Sequence, residues 1–248
     1  MPSTLHPAPN CRAPLAPKYN TGNVAVEATT LTLPVTLPRP ELDEVKMSIL
    51  LEMYPDLAGI PAEYIRDRMP LSTPPMIAAL RATQTPEIQG GLPKQLEITM
   101  NEIVSAACPT HMLAIYSDTP LAFGQKRQIS LYPCHDLVMG IYCTRLPKLP
   151  ISQPDAACSH ATIPVTPICL PSPGTFALLH AYLYTQNPGT LALLTPPQES
   201  GLLQLVAHAT KVHGLWRNAC ALGVIGPLLY DVIEESWAKT LTAMRACS

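Results

Sequence analysis

Proline occupies 29 of the 248 positions, about 12% against about 5% in ordinary chains. Inside a helix proline removes a backbone N–H and costs about 3 kcal/mol, so long helices and coiled coils are disfavoured. Glycine, at 12 residues, is too scarce for a collagen repeat. The remainder is apolar: 47% of residues are hydrophobic and 14% charged, where about 25% charged is typical. Mean hydropathy is +0.16. Such a chain has too much to bury to stay disordered throughout. The expectation is a mostly helical α+β protein of short elements, one or two domains, with prolines marking element ends.

Charge excludes several functions. The net charge is −2 and the isoelectric point is near 6.4. No cationic run exceeds Lys126-Arg127, whereas nucleic-acid binders carry a basic patch. Direct nucleic-acid binding is therefore not expected. The longest apolar stretch, around 219–230, falls short of the roughly 20 residues that span a bilayer. The first residues, Met1 to Pro9, have no basic segment leading into an apolar core. An intracellular protein of nucleus or cytoplasm is expected. Eight cysteines stand at 11, 108, 134, 143, 158, 169, 220 and 247 without a CxxC pair, and read as reduced thiols. His208 and His213 supply half of a zinc pattern with no cysteine pair to complete it. Neither metal nor cofactor is expected.

Three regions follow from the punctuation. Residues 1–40 carry eight prolines and no helical period, which reads as a proline-rich disordered tail. Residues 41–108 read as short helices: about 44–53 capped by Asp43, about 61–69 opened by Pro61, one from Pro74-Pro75 through Arg81, and one over 95–107. Residues 109–248 read as an α+β domain. His111 to Tyr116 and Gln128 to Tyr132 make a hairpin, and 135–143 a helix. The run 163–170 contains Pro164 and Pro167, which demote it to an edge strand. Ser172 caps a helix containing Phe176, Leu179 and Leu183. Helices follow over 191–194, 200–212 and, after a break at Gly214, 215–222. A last one runs from Asp231 to Met244.

No Gly-x-Ser-x-Gly elbow and no phosphate-binding glycine loop occur. Cys134-His135-Asp136 holds the residue types of a thiol triad, but adjacent helical residues diverge. His135 reads more simply as a helix-start residue satisfying a backbone group. Cys169 and Cys220 read as small core hydrophobes, and Glu234-Glu235 as a solvated face. Trp216 and Trp237 read as core or interface anchors. Tyr182 and Tyr184 flank Leu183, so one can be core and the other surface. The candidate partner contacts are Tyr182, Tyr184, Trp216 and His135. The rival functions are a thiol-dependent enzyme using Cys134 or Cys143, and a DNA-binding regulator.

Two strings carry a resemblance. Leu131-Tyr132-Pro133-Cys134-His135, then Leu170-Pro171-Ser172-Pro173 with Phe176 and Tyr182-Leu183-Tyr184-Thr185, resemble the BTB/POZ fold over about 111–222. More narrowly, Leu170-Pro171-Ser172-Pro173, Tyr182 to Thr185 and the run Gly214 to Gly223 resemble the fungal clampless family of clamp-connection formation. In many BTB/POZ members an Asp opening the first strand and a basic residue after the helix histidine line a partner pocket. Here Thr110 precedes His111, and Asp136 follows His135. The resemblance implies a non-enzymatic regulator of fungal sexual development, acting through protein partners, with a homodimer within the repertoire of the fold.

Overall fold

The computed structural model describes residues 33–86, 88, 90–100, 106–120, 125, 127–152, 154, 160–196 and 201–247. Among them four strands form one sheet, ordered β1-β4-β2-β3. These are β1 (Gln95–Thr99), β2 (His111–Tyr116), β3 (Ser130–Cys134) and β4 (His160–Cys169). The helices are α1 (Met47–Met53), α2 (Ala62–Ala82), α3 (Asp136–Tyr142), α4 (Phe176–Thr185), α5 (Leu202–Leu222) and α6 (Pro227–Ala246). The α+β, largely helical class is as expected.

The hairpin of β2 and β3 is present, with Leu113 opposite Tyr132. The segment from 95 is a correction: it begins as a strand, not a helix. Its Leu96 and Ile98 are buried while Gln95 and Glu97 are exposed, a period of two. Met100 and Leu96 also suit a helix, and pairing with β4 from Leu96↔Ile163 to Thr99↔His160 decides it. Leu96, Ile98, Met112, Ala114, Ile163 and Val165 share one core cluster.

β4 is the second correction. It is a central strand, antiparallel to β1 and parallel to β2. The Val165 N–H bonds Lys94 O on the β1 side, and the Leu170 N–H bonds Tyr116 O on the β2 side. By alternation, the nitrogen of Pro167 faces the β1 side beyond the first residue of β1. The nitrogen of Pro164 faces the β2 side just before that ladder starts at Met112↔Val165. Neither missing N–H removes a bond from a ladder, so the edge rule does not apply.

Proline also fails to end α2, which runs unbroken through Pro70, Pro74 and Pro75 where two short helices were expected. Pro70 leaves the Arg66 carbonyl without its helical donor. The Tyr142 hydroxyl donates to that oxygen at 3.0 Å. Pro74 likewise frees the Pro70 carbonyl, which accepts from Thr73 Oγ1 at 3.2 Å. α1 begins at Met47, later than expected, with no side-chain cap; Asp43 instead pairs with Arg145 at 3.0 Å.

α5 continues through Gly214, and α6 starts at Pro227 rather than 231. Gly214 marks a close approach: a Cβ there would run into the Ser172 side chain and stand 3.2 Å from Thr175 Cγ2. At the α5–α6 turn, Gly223 has φ +61°. There the Thr144 N–H bonds Gly223 O at 3.1 Å and the Ile225 N–H bonds Tyr142 O at 2.8 Å, joining the end of α3 to the turn.

At a plain exposed helix position Gly→Ala gains about 1 kcal/mol. At Gly214 the collision with Ser172 reverses that sign. Gly214→Ala is expected to lower stability by about 1–3 kcal/mol in urea denaturation, with an unchanged m-value.

Candidate functional site

Three of the four sequence candidates are in the interior, which corrects their reading as partner contacts. Tyr182 is 1% exposed and Tyr184 2%, so both are core. Leu183 between them is buried too, because α4 is covered nearly all round. His135 is 4% exposed. It is the residue before α3 and does satisfy backbone groups. Its N–H donates to the Tyr184 hydroxyl at 2.8 Å, and its Nε2 lies 3.0 Å from Ala107 O. With Nε2–H donating to that carbonyl, Nδ1 is left to accept from the Tyr184 O–H at 2.9 Å. Both groups are thereby saturated.

Asp136 Oδ1 accepts from the Tyr54 hydroxyl at 2.6 Å, Thr110 Oγ1 at 3.0 Å and the Leu137 N–H at 2.9 Å. The Tyr54 bond ties the segment after α1 to the start of α3. Burial and this carboxylate together push the Tyr54 phenol pKa up. The Cys134 thiol is buried in the sheet, and burial, with the Asp136 carboxylate adding to it, pushes its pKa well above the ordinary thiol value. Burial likewise pushes Cys143 up to about 12. A nucleophilic cysteine needs the opposite shift. Cys169 and Cys220 are partly buried.

Ser236 borders a cleft of about 210 Å³ lined by Leu191, Pro196 and Val232, and His208 Nε2 lies 3.3 Å from its Oγ. Both donate to one acceptor, the Leu194 carbonyl, His208 Nε2 at 2.9 Å and Ser236 through a shorter contact. With its Nε2 proton directed there, His208 is no base toward Ser236. The pair fastens the 3₁₀ turn Pro188–Leu194 to α5 and α6. His208 and His213 share no ligand set: among the described residues no group of three metal-ligating side chains converges.

Sequence reasoning missed Asn218, which is fully buried on α5. It receives the Ser172 N–H on Oδ1 at 3.0 Å and donates from Nδ2 to Ser172 O at 2.7 Å, pairing like a peptide group. Its position four residues after Gly214, on one helix face, was the available signal.

Trp216, the fourth candidate, is half-buried on a surface that brings α5, α6 and residues 34–43 together. Trp216 Nε1 donates to Pro38 O at 2.9 Å, and Trp237 Nε1 to Pro34 O at 3.0 Å. The His213 ring lies between the indoles, stacked on Trp216 at 5.4 Å and 6.0 Å from Trp237. Leu37 is 3% exposed. Arg39 grips α6: Nε bonds Glu234 Oε1 at 2.7 Å and Nη2 bonds Asp231 Oδ1 at 2.5 Å. Glu234 is thus a paired carboxylate. Of the proline-rich residues 1–40, the stretch from 34 onward packs on the helices; the tail expected over 1–32 lies outside the described residues.

The domain family described as the Clampless protein 1 N-terminal domain matches residues 40–171, more than half of the chain. The chain belongs to the clampless family. The Clampless protein 1 C-terminal domain matches 197–248, which takes in α5, α6 and both tryptophans. Clampless protein 1 of Cryptococcus neoformans var. neoformans serotype D, strain JEC21, is 30% identical over 107 residues, covering 38% of this chain and 22% of that protein. The same protein of strain B-3501A matches equally. The chain thus spans about a fifth of the curated relatives it matches. No solved structure matches it. Clampless membership suggests a role in clamp formation.

Burial lowers the pKa of His111, His135, His180, His208 and His213, that of His180 to about 4. For His180, nearby His135 adds to the effect. Each folded value lies below the unfolded value of about 6.5, so the unfolded chain binds more protons in between. Stability is complete above about pH 6.5 and is lost as pH falls from there toward about 4. Urea midpoints measured from pH 7.5 down to 5, where most carboxylates stay ionised, are expected to fall steadily. A flat profile would refute the neutral buried histidines.

Proposed function

We propose that this chain is a non-enzymatic regulatory protein that works through protein–protein contacts in clamp-connection formation and dikaryon growth, on a BTB/POZ-like core. The carrying observation is the match of both clampless domains along one chain. The element order supports the core: a β2–β3 hairpin, α3, β4 parallel to β2, α4, then the α5–α6 pair. The interior supports the non-enzymatic part, since His135, Tyr184, Asp136, His208 and Ser236 hold elements together. A protein partner or a second copy remains the expected ligand, within nucleus or cytoplasm. No helix among the described residues is long and apolar enough to cross a membrane.

The thiol-enzyme rival requires Cys134 or Cys143 to be a thiolate, against the upward shift of both. The DNA-binding rival has the net charge of −2 against it. Deleting the gene is expected to abolish clamp cells in the dikaryon. Reintroducing the C134A/C143A variant, once circular dichroism shows it folded, is expected to restore them. Clamps in the deletion strain would sink the role, and a folded but inactive double variant would favour the thiol enzyme.

A further inference from the structure

Residues 34–40, Pro-Val-Thr-Leu-Pro-Arg-Pro, lie outside helix and strand and cross α5 and α6. The helices read this segment through four features. Two indole N–H groups bond carbonyls four residues apart, those of Pro34 and Pro38. One apolar side chain, Leu37, is inserted and buried. Asp231 and Glu234, three apart on α6, hold the Arg39 guanidinium in a fork of three contacts at 2.5–3.1 Å. Pro34, Pro38, Val35 and Thr36 are exposed, so the back of the segment is unread.

These are the requirements of proline-rich peptide recognition. Such a backbone is already extended, so docking it sacrifices little conformational entropy, and aromatic N–H donors reach its outward carbonyls. Nothing in the set of contacts depends on the segment being covalently part of this chain. The acidic pair adds a directional reading, because only one end of the segment carries the cation. Planar bidentate geometry favours arginine over lysine there.

We propose that the α5–α6 face is a peptide-reading surface for an extended proline-rich segment of a partner protein carrying Leu-Pro-Arg, filled here by the chain's own residues 34–40 and opened when they lift. This deepens the reading of the chain as a protein–protein contact protein and rests on it. Failure of peptide binding would strike this surface alone, whereas failure of that broader reading would appear in the clamp phenotype. The strap competes in cis as a tethered ligand, so a partner binds in proportion to the strap's release.

Trp216 and Trp237 are the chain's two tryptophans and both lie on this face, so intrinsic fluorescence reports on it directly. The full chain is titrated with a synthetic peptide of residues 34–43, as wild type and as R39E, in which the strap's own cation is reversed. L37D/R39E serves as a second released variant, each checked for fold by circular dichroism. The R39E chain is expected to bind the peptide saturably and at least about tenfold tighter than wild type, because the tethered competitor is weakened. A peptide carrying Arg39→Glu is expected to bind the R39E chain at least about tenfold more weakly than the native peptide, through loss of the charged fork. In a D231R/E234R chain that preference is expected to reverse. The proposal is overturned by no saturable change up to about millimolar peptide, the ceiling set by short-tether effective concentrations. Equal affinity for the two peptides overturns it as well. So does a dimer of the R39E chain, in sedimentation, that the peptide fails to dissociate, since a second copy would then be the occupant.

Discussion

The register of β4 is the constraint on which the other placements depend. Pro164 and Pro167 sit at positions of opposite parity, so their missing N–H groups face opposite neighbours. Each lies just past the reach of the strand it faces. A slip of one residue would turn Ile163 and Val165 out of the core cluster. A slip of two would drive a proline nitrogen into a ladder that needs a donor. The strand is therefore pinned at both edges by residues usually regarded as incompatible with a sheet interior.

From that register the rest follows in order. Leu170 leaves the sheet with its N–H on Tyr116 O. Ser172 then meets Asn218, whose amide receives and returns the pairing of a peptide group, over the gap that Gly214 keeps open. α4 carries Tyr184 to the start of α3, where its hydroxyl saturates His135. The end of α3 is stitched to the α5–α6 turn at Gly223. The part of the chain matched by the clampless N-terminal domain and the part matched by its C-terminal domain are thus joined by backbone bonds.

Three polar side chains of this interior are matched to carbonyls that proline or a helix end leaves free. Tyr142 serves the carbonyl that Pro70 orphans, and His208 with Ser236 serves that of Leu194. An unpaired buried carbonyl costs about 1–3 kcal/mol, so these hydroxyls and imidazoles are held in place by the proline content itself. Burial, against the pull of those carbonyls, keeps the histidines neutral.

The sequence by itself determined the α+β class, the β2–β3 hairpin, α3 and the family. Those are local or linear properties: alternation in His111 to Tyr116, turn residues after it, and the strings from Leu170 to Thr185 and Gly214 to Gly223. Proline was legible only as a local breaker. Whether it ends an element depends on whether a distant group serves the carbonyl it frees, or on where a neighbouring strand stops. Only the tertiary structure could decide that, for α2 through Tyr142 and for β4 through the ends of β1 and β2. The same holds for the site. Tyr182 and Tyr184 looked divisible into core and surface by helical phase, yet α4 is enclosed on both sides. Trp216 and Arg39, 177 residues apart, become one surface only because α5 and α6 pack together beneath the strap.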